Sequence, residues 1–491
     1  MLGVYGKRAT RETVSLLRST GACGVLLLAR NIESPAQTRA LTEELVCRLG
    51  RPLLFAVDHE GGWVLRFKSG LTAFPGNAAL GLARKPALAY AVGRQMAREL
   101  YPLGIRVNLA PVLDVLAGRY NPGIGIRSFG SDAALAARMG ASMIRGLQDN
   151  GVSACAKHFP GKGAATKDAH VELPTIRMSR GEFSRTHLLP FKAAISAGVD
   201  CVMTSHVRFP ALDLSPATFS RKITRGLLRE RLGFDGAVLA DDLCMGAVTN
   251  SEAVASAAVK AFEAGHDILL VAHQAQIQRE AVDCLRRRAE NGGLDKQELE
   301  DSRRRIERLL APRERPGKAS EAEGLALSRE IAARAVTRVQ RGGLSLPLSP
   351  NAQPLLLLFP DFAEVRERFT FENGPRGPER ALREALKSWG RLRLRRTPVE
   401  AARLGNLAAE IRRAPRILFF CFEAMRFAGQ KAVLGLLNDE ASERTVVCLI
   451  RNSWDKELLS PKMTALDVHG YRLAQLNEAV KTALGSTGGS R

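Results

Sequence analysis

Aromatic residues are scarce in this 491-residue sequence, and long apolar runs are absent. Hydrophobic residues make up 45% of the chain and aromatics 5%, which predicts a large aliphatic core and argues against a disordered chain. No apolar run approaches the ~20 residues that a membrane-spanning helix needs. Residues 1–12 also lack the apolar core of a signal peptide, which predicts a cytoplasmic protein without a membrane segment. The chain starts abruptly with a strand-like segment at 2–5, which leaves open the alternative that an upstream segment is missing from this sequence.

The eight cysteines form no CxxC pair. Cys155, Cys201 and Cys244 lie in or beside apolar strand-like runs. Because metal-ligand spacing is missing, we favour buried reduced thiols over disulfides or a metal centre. Reduced thiols fit a reducing compartment. The cysteines therefore predict no metal centre of their own.

The formal net charge of +22 raises the alternative of a nucleic-acid partner. The arginines are spread along helical stretches, as at 303–305 and Arg308, and are not interleaved with aromatic residues. We interpret the charge as a compositional bias and predict no nucleic-acid binding. Steep salt dependence of DNA binding would identify the alternative.

Strand-like and helical stretches alternate through the first 290 residues. Strand-like runs such as 24–28 and 53–57 are continuously apolar, and amphipathic stretches such as 35–49 and 133–148 separate the strand-like runs. This alternation predicts parallel βαβ units. Seven or eight repeats, without a glycine-rich dinucleotide turn after the first strand, favour an α/β fold of the (β/α)8 TIM-barrel type over a doubly wound sheet.

The second half of the chain predicts a smaller domain. Pro312, Pro316 and Gly317 mark a linker, and strand-like runs recur beyond it. We expect one continuous helix over 180–196 and another over 321–338. The predicted domains are a catalytic barrel (1–311), a linker and connecting helix (312–341), an α/β sandwich domain (342–484) and a disordered tail (485–491). We expect the protein to be a monomer or a homodimer.

Polar residues recur where predicted barrel strands end, which is where barrel enzymes keep their chemistry. They are Asp58, Asp114, Lys157, His158, His206 and Asp241. Asp241 directly continues a strand, and a carboxylate there can attack an anomeric carbon. The neighbouring Asp242 supports it, although the pair also suits a Mg²⁺ site or a helix cap.

A loop after the strand ending at 159 carries Asp168 and His170 at positions i and i+2. A carboxylate beside an imidazole can orient it and raise its basicity, as general acid–base chemistry requires. Two solvated loop residues are the alternative. Elsewhere, Asp58 and Arg66 flank a Gly61-Gly62 pair that lets backbone approach a ligand, and Arg127 can clamp a hydroxyl or carboxylate.

These segments resemble glycoside hydrolase family 3, in particular its bacterial β-N-acetylhexosaminidase branch of cell-wall recycling. That branch is typified by VDQEGGRVQRF, NRSFG, KHFPGHGDxxxDSHxxLP and SDDLxM. This chain has VDHEGGWVLRF, IRSFG, KHFPGKGAATKDAHVELP and ADDLCM. The similarity covers most of residues 20–290, and GGLSLPL and IRNSWDKELL more weakly resemble the second domain of longer members.

The resemblance implies a retaining enzyme that releases terminal β-linked N-acetylglucosamine from glycans or muropeptides without a cofactor. Asp241 would be the nucleophile, His170 the acid/base and Asp168 its partner. The residues that would bind the sugar are Asp58, Arg66, Arg127, Lys157, His158 and His206.

Four residues depart from the branch pattern: Lys162 replaces a His, Ala164 an Asp, Ala169 a Ser, and Ala240 a Ser or Thr. The alanines motivate a catalytically inactive sugar-binding homologue as one alternative. A phosphorylase is the other, because a neutral histidine, unlike a carboxylate, does not repel phosphate. The added charge of Lys162 favours an anionic substrate.

Overall fold

The chain forms two compact units in a computed structural model. One unit comprises Met1–Glu60 and Arg84–Gly324, and the other comprises Gly61–Ala83 and Leu325–Arg491. The structure describes residues 1–118, 120–169, 171–348, 354–365, 374, 376–386, 389 and 391–485.

The first unit contains an eight-stranded parallel sheet whose strands follow one another in chain order. A parallel bridge between Leu2 and Val271 joins the last strand to the first. The Gly3 N–H donates to the Val271 carbonyl at 3.1 Å, which closes the sheet into a barrel. The strands are Leu2–Gly3, Gly24–Leu27, Leu54–Val57, Ile105–Asn108, Ser153–Phe159, Cys201–Thr204, Ala237–Ala240 and Ile268–Leu269.

Side-chain caps begin several barrel helices. The Ser34 hydroxyl accepts from the Gln37 N–H, and the Asp132 carboxylate accepts from the Leu135 N–H. The helices are Arg11–Thr20, Pro35–Leu49, Pro86–Leu100, Ala133–Gln148, Arg180–Arg185, Leu188–Ser196, the π-helix Lys222–Arg231, Gly246–Thr249, Val254–Glu263, Ala275–Glu290, Lys296–Leu310 and, continuing into the second unit, Glu321–Ala335.

Aliphatic side chains from successive strands fill the barrel. Leu26, Leu54, Val107, Met203 and Leu239 belong to one buried cluster. Burial on both faces explains why strands such as Leu54–Val57 and Ala237–Ala240 are continuously apolar in sequence. Polar side chains are therefore concentrated at the strand ends and in the loops after them.

The second unit contains a six-stranded sheet. Its strands, in spatial order, are Thr337–Gln340, Thr464–Asp467, Thr445–Leu449, Arg416–Cys421, Leu355–Pro360 and Leu392–Thr397, and only the first pair is antiparallel. Alternate residues of one strand enter different cores: Leu355 and Leu357 lie in one cluster, and Leu356 and Leu358 lie in the other.

Helices cover both faces of this sheet. Leu382 and Leu476 lie in one core, and Ile411 and Val433 lie in the other. The helices of the unit are Asn77–Ala83, Gly377–Ala385, Leu407–Arg413, Ala428–Glu440 and Leu473–Leu484. The predicted fold class, a TIM-type barrel followed by a smaller α/β sandwich, is confirmed.

Two element predictions were wrong. The helix expected over 180–196 is interrupted, because the Thr186 hydroxyl donates to the Glu182 carbonyl and the backbone turns there. The helix expected to reach residue 338 ends at Ala335. The next residues form the strand Thr337–Gln340, because pairing with Thr464–Asp467 outweighs local helical preference.

The segment Gly61–Ala83 belongs to the second unit, although the predicted domain boundaries assign 1–311 to the barrel. Of the tail predicted to be disordered, residues 486–491 lie outside the described residues. Within the described part of the chain, no helix has both the length and the apolar character needed to cross a membrane.

Candidate active site

Asp241 follows the seventh barrel strand, Ala237–Ala240, without an intervening residue. Its Oδ1 accepts a hydrogen bond from the Asp242 N–H at 2.9 Å. Its Oδ2 lies 3.8 Å from the Lys162 Nζ, and 16% of its side chain is exposed. The carboxylate is thus held in position and remains accessible, as attack on a substrate requires.

Asp242 connects two strand ends. Its Oδ1 accepts from the backbone N–H groups of Cys244 at 3.2 Å and Ala272 at 3.0 Å, and its Oδ2 lies 3.8 Å from the His273 Nε2. Burial raises the pKa of the Asp242 carboxyl. These contacts fit a supporting residue that fixes the backbone beside Asp241.

A buried ion-pair network lies at the third and fifth strand ends. The Lys157 Nζ donates to Asp58 Oδ1 at 2.8 Å and lies 2.7 Å from Glu60 Oε1. Arg127 binds both oxygens of Glu60, at 2.8 and 2.7 Å, and also donates to the Gly123 carbonyl at 2.9 Å. Burial would raise the pKa of Glu60, but Arg127 and Lys157 lower it. Asp58, Lys157 and Arg127 are therefore held in one preorganised array.

His158 belongs to a second pair. Its Nδ1 lies 2.7 Å from Asp114 Oδ2, and its Nε2 lies 3.5 Å from the Arg127 guanidinium. A carboxylate partner makes Nδ1 the donor, which leaves Nε2 as an acceptor facing Arg127. Burial raises the pKa of Asp114 to about 6. The adjacent residues Lys157 and His158 both contribute to the site, and the pairing of their strand with the sixth shifts register there.

The loop that carries Asp168 is anchored at its start by Asn121. The Asn121 amide donates to the carbonyls of Lys162 and Gly163 at 2.9 and 3.2 Å, while its oxygen accepts from the N–H groups of Gly123 and Ile124. A β-carbon built on Gly123 would lie 3.4 Å from Asp168 Oδ1. Asp168 therefore lies close to the loop that leads into Arg127.

The far side of the same loop packs on the short helix Gly246–Thr249. The Ala247 N–H donates to the Ala169 carbonyl at 3.1 Å, and the Asn250 side chain donates to the Val171 carbonyl at 2.7 Å. Ala169 and Ala247 also share a small apolar cluster. His170, the predicted acid/base, lies outside the described residues, but the residues on both sides of it are held.

His206 is buried after the sixth strand. Its Nδ1 lies 2.7 Å from the Thr218 hydroxyl, and its Nε2 lies 3.0 Å from the Asp242 carbonyl. Burial lowers the pKa of the imidazole. Its Nε2 is therefore a donor that fixes the backbone after Asp241, and a direct contact with sugar stays a prediction.

Arg66 lies on the segment Gly61–Ala83, which is part of the second unit. Gly62, in the neighbouring glycine pair, lies against another stretch of backbone, and approach of the pair to a ligand stays a prediction. A β-carbon on Gly62 would lie 2.8 Å from the Pro75 carbonyl oxygen, and φ at Gly62 is +56°. Gly62 thus permits contact between two stretches of backbone.

Sequence reasoning undervalued three residues of the site. Glu60 bridges Arg127 and Lys157, Asp114 orients His158, and Asn121 anchors the loop. The position of Asp114 after a strand was visible in sequence. The partners of all three residues are distant in the chain, so their contacts were not.

Residues 1–309 match the model of the glycosyl hydrolase family 3 N-terminal domain. The chain belongs to glycoside hydrolase family 3. A curated relative from Thiobacillus denitrificans, named beta-hexosaminidase, is 38% identical over 288 residues, which cover 57% of this chain and 80% of the relative.

Two solved structures extend the comparison. A family 3 beta-N-acetylglucosaminidase from Paenibacillus sp. str. FPU-7 matches with a TM-score of 0.90 and 32% identity, covering 99% of this chain and 95% of that one. NagZ from Neisseria gonorrhoeae, in complex with N-trifluoroacetyl-D-glucosamine, matches with a TM-score of 0.58 and 30% identity, covering 68% and 97%. The first match includes both units of this chain.

Proposed function

We propose that this family 3 enzyme is a retaining β-N-acetylhexosaminidase that hydrolyses terminal β-linked N-acetylglucosamine. The observation that carries the proposal is Asp241, a partly exposed carboxylate at a barrel strand end beside a preorganised polar array. The beta-hexosaminidase and beta-N-acetylglucosaminidase names of its relatives support this substrate class.

In the first step, His170 donates a proton to the glycosidic oxygen while the Asp241 carboxylate attacks C1. The bond from C1 to the leaving oxygen breaks, and an ester forms between C1 and Asp241. Asp168 supports the protonated imidazole. A histidine replaces the second carboxylate that retaining enzymes usually employ.

In the second step, neutral His170 takes a proton from water as the water oxygen attacks C1. The ester bond breaks and its electron pair returns to Asp241, which restores the enzyme and releases the sugar with retained configuration. The sugar is bound by Asp58, Arg127, Lys157, His158 and His206, and neither step requires a metal or organic cofactor.

We further propose that the substrates are peptidoglycan fragments and that the protein acts in the cytoplasm. The basic Lys162 near Asp241 suits an anionic fragment. All eight cysteines are free thiols, and at least four of them are buried, which supports a reducing compartment.

The proposal is tested with 4-nitrophenyl β-N-acetylglucosaminide. The wild type should release nitrophenol, and Asp241→Ala should lower kcat by about 10⁴-fold or more, because the nucleophile is lost. Asp439→Ala, which removes an exposed carboxylate from the second unit, is the matched control and should leave kcat unchanged.

Product analysis distinguishes the alternatives. Free N-acetylglucosamine, with or without added phosphate, supports hydrolysis, whereas N-acetylglucosamine 1-phosphate formed in phosphate buffer would identify a phosphorylase. Saturable sugar binding by an inactive wild type would identify a binding homologue. Full activity of Asp241→Ala would contradict the proposed mechanism.

A further inference from the structure

Lys162 is a buried cation beside the proposed nucleophile. Its Nζ lies 3.8 Å from Asp241 Oδ2, and the residue is 6% exposed. The family pattern KHFPGHG has histidine at this position, whereas this chain has KHFPGKG. An ammonium group therefore lies where an imidazole is usual.

The backbone of Lys162 is held on both sides. Its N–H donates to Asp114 Oδ1 at 2.6 Å, and its carbonyl accepts from the Asn121 amide at 2.9 Å. Neither bond involves the lysine side chain. A substitution at 162 can therefore remove the ammonium while retaining the contacts that position the loop.

The charged groups around the ammonium have both signs. The negative charges of Asp241, Asp114 and Asp168 attract the Lys162 ammonium, and the positive charge of Arg127 repels it. His206 lies within electrostatic range of both Lys162 and Asp241, and burial lowers the pKa of this imidazole. Burial likewise lowers the pKa of Lys162, while the three carboxylates favour its charged form.

We propose that Lys162 is the charge partner of Asp241, a positioning residue that keeps the nucleophile ionised and assists its departure from the glycosyl-enzyme. This inference rests on the proposed function. The Lys162 ammonium lies within 4 Å of the Asp241 carboxylate. A cation at this distance favours the ionised carboxylate.

The charge acts in both chemical steps. When Asp241 attacks C1, its negative charge is consumed, so the ammonium opposes the loss of that charge. When water attacks C1 and the ester breaks, an electron pair returns to Asp241, and the ammonium stabilises the charge that develops. Removing the cation should therefore slow the second step more than the first.

The test compares the pH dependence of kcat/KM for the wild type, Lys162→Met and Lys162→Arg, using an aryl β-N-acetylglucosaminide. In Lys162→Met the acidic limb of the kcat/KM profile should move to a pH higher by about 1 unit or more, since the Asp241 carboxylate loses its cation. Lys162→Arg keeps the charge and should retain the wild-type limb even if its kcat falls.

The matched control is Lys167→Met. Lys167 lies in the same loop but is exposed and pairs with Glu172 at 2.7 Å. This variant removes one positive charge from the loop without changing the surroundings of Asp241, so its pH profile should be that of the wild type. Thermal unfolding of each variant checks that the fold is retained.

A second readout follows the glycosyl-enzyme directly. With an activated aryl leaving group, Lys162→Met should show a larger burst of phenol, and a larger fraction of intact protein should carry the mass of one N-acetylhexosaminyl group. If the wild type is active but Lys162→Met has the same acidic limb and the same burst of phenol, only this inference is overturned. A wild type without turnover would overturn the proposed function and the inference together.

Discussion

Glu60 shows how a single buried charge organises the proposed site. Its two oxygens bind the Arg127 guanidinium in bidentate fashion, and one of them also contacts the Lys157 ammonium. All three side chains are at least 90% buried. Each charge is thus compensated by the others, and removing the shared carboxylate would leave Arg127 without its bidentate partner and Lys157 with Asp58 alone.

We predict that Glu60→Gln lowers the free energy of unfolding by about 3–5 kcal/mol, because a buried ion pair is broken from one side. The measurement is urea denaturation followed by circular dichroism. Glu379→Gln is the matched control, since Glu379 also contacts two arginines, Arg383 and Arg396, which are 55% and 38% exposed. Glu379→Gln should lower the free energy of unfolding by about 1 kcal/mol or less. Equal losses in the two variants would contradict the network argument.

The short helix Gly246–Thr249 links two parts of the proposed chemistry. It begins four residues after Asp242, and it is directly followed by Asn250, which binds the loop that carries Asp168. Packing of Ala169 against Ala247 adds an apolar contact at the same place. The segment that follows the proposed nucleophile therefore also holds the loop of the proposed acid/base.

We expect Asn250→Ala to lower kcat about fivefold with a smaller change in KM, since one loop hydrogen bond of about 1 kcal/mol is lost. Steady-state kinetics with the nitrophenyl substrate measures both constants. Asn438→Ala is the control: Asn438 donates to the Leu458 carbonyl at the same distance of 2.7 Å, but in the second unit. A variant that raises KM alone would indicate that the loop binds substrate without positioning the acid/base.

The arginines of the helix Lys296–Leu310 illustrate how positive charge is compensated in this molecule. Arg303 pairs with Glu300 and Glu307 on the same helix. Arg305 instead reaches the buried Asp267 at 3.2 Å, and Arg308 reaches Asp235 at 3.0 Å. This arginine-rich helix is therefore tied to the barrel by ion pairs, which supports our interpretation that the charge does not mark a nucleic-acid site.

Two buried histidines should make the stability of the molecule sensitive to acid. Burial lowers the pKa of His187 and of His266 from 6.5 to about 4. In each case the folded state favours the neutral ring. The stability that depends on neutrality is complete above pH 6.5 and is lost as the pH falls towards 4.

We predict that His187→Phe makes the fall in unfolding free energy between pH 6.5 and pH 4 smaller by up to about 3 kcal/mol. Phenylalanine keeps an aromatic ring beside Phe209 but does not titrate. Urea denaturation at several pH values gives the slope of the unfolding free energy against pH. His273→Phe, at a half-exposed histidine, should leave the slope unchanged. An unchanged slope in His187→Phe would mean that this ring is not the titrating group.

The fold class and the strand-end position of Asp241 follow from local patterns in the sequence. Buried strands are continuously apolar, and a polar residue directly after one marks the strand end, so both signals are local. The family motifs also lie in short continuous segments. Neither inference required knowledge of which residues meet across the fold.

The partners of these residues could be read only from the folded chain. Glu60 meets Arg127 and Lys157, and Lys162 meets Asp241, across long stretches of chain. The antiparallel pairing of Thr337–Gln340 likewise replaced a locally helical pattern. Such contacts depend on how strand ends are arranged around the barrel or across the sheet, and local sequence patterns do not specify that arrangement.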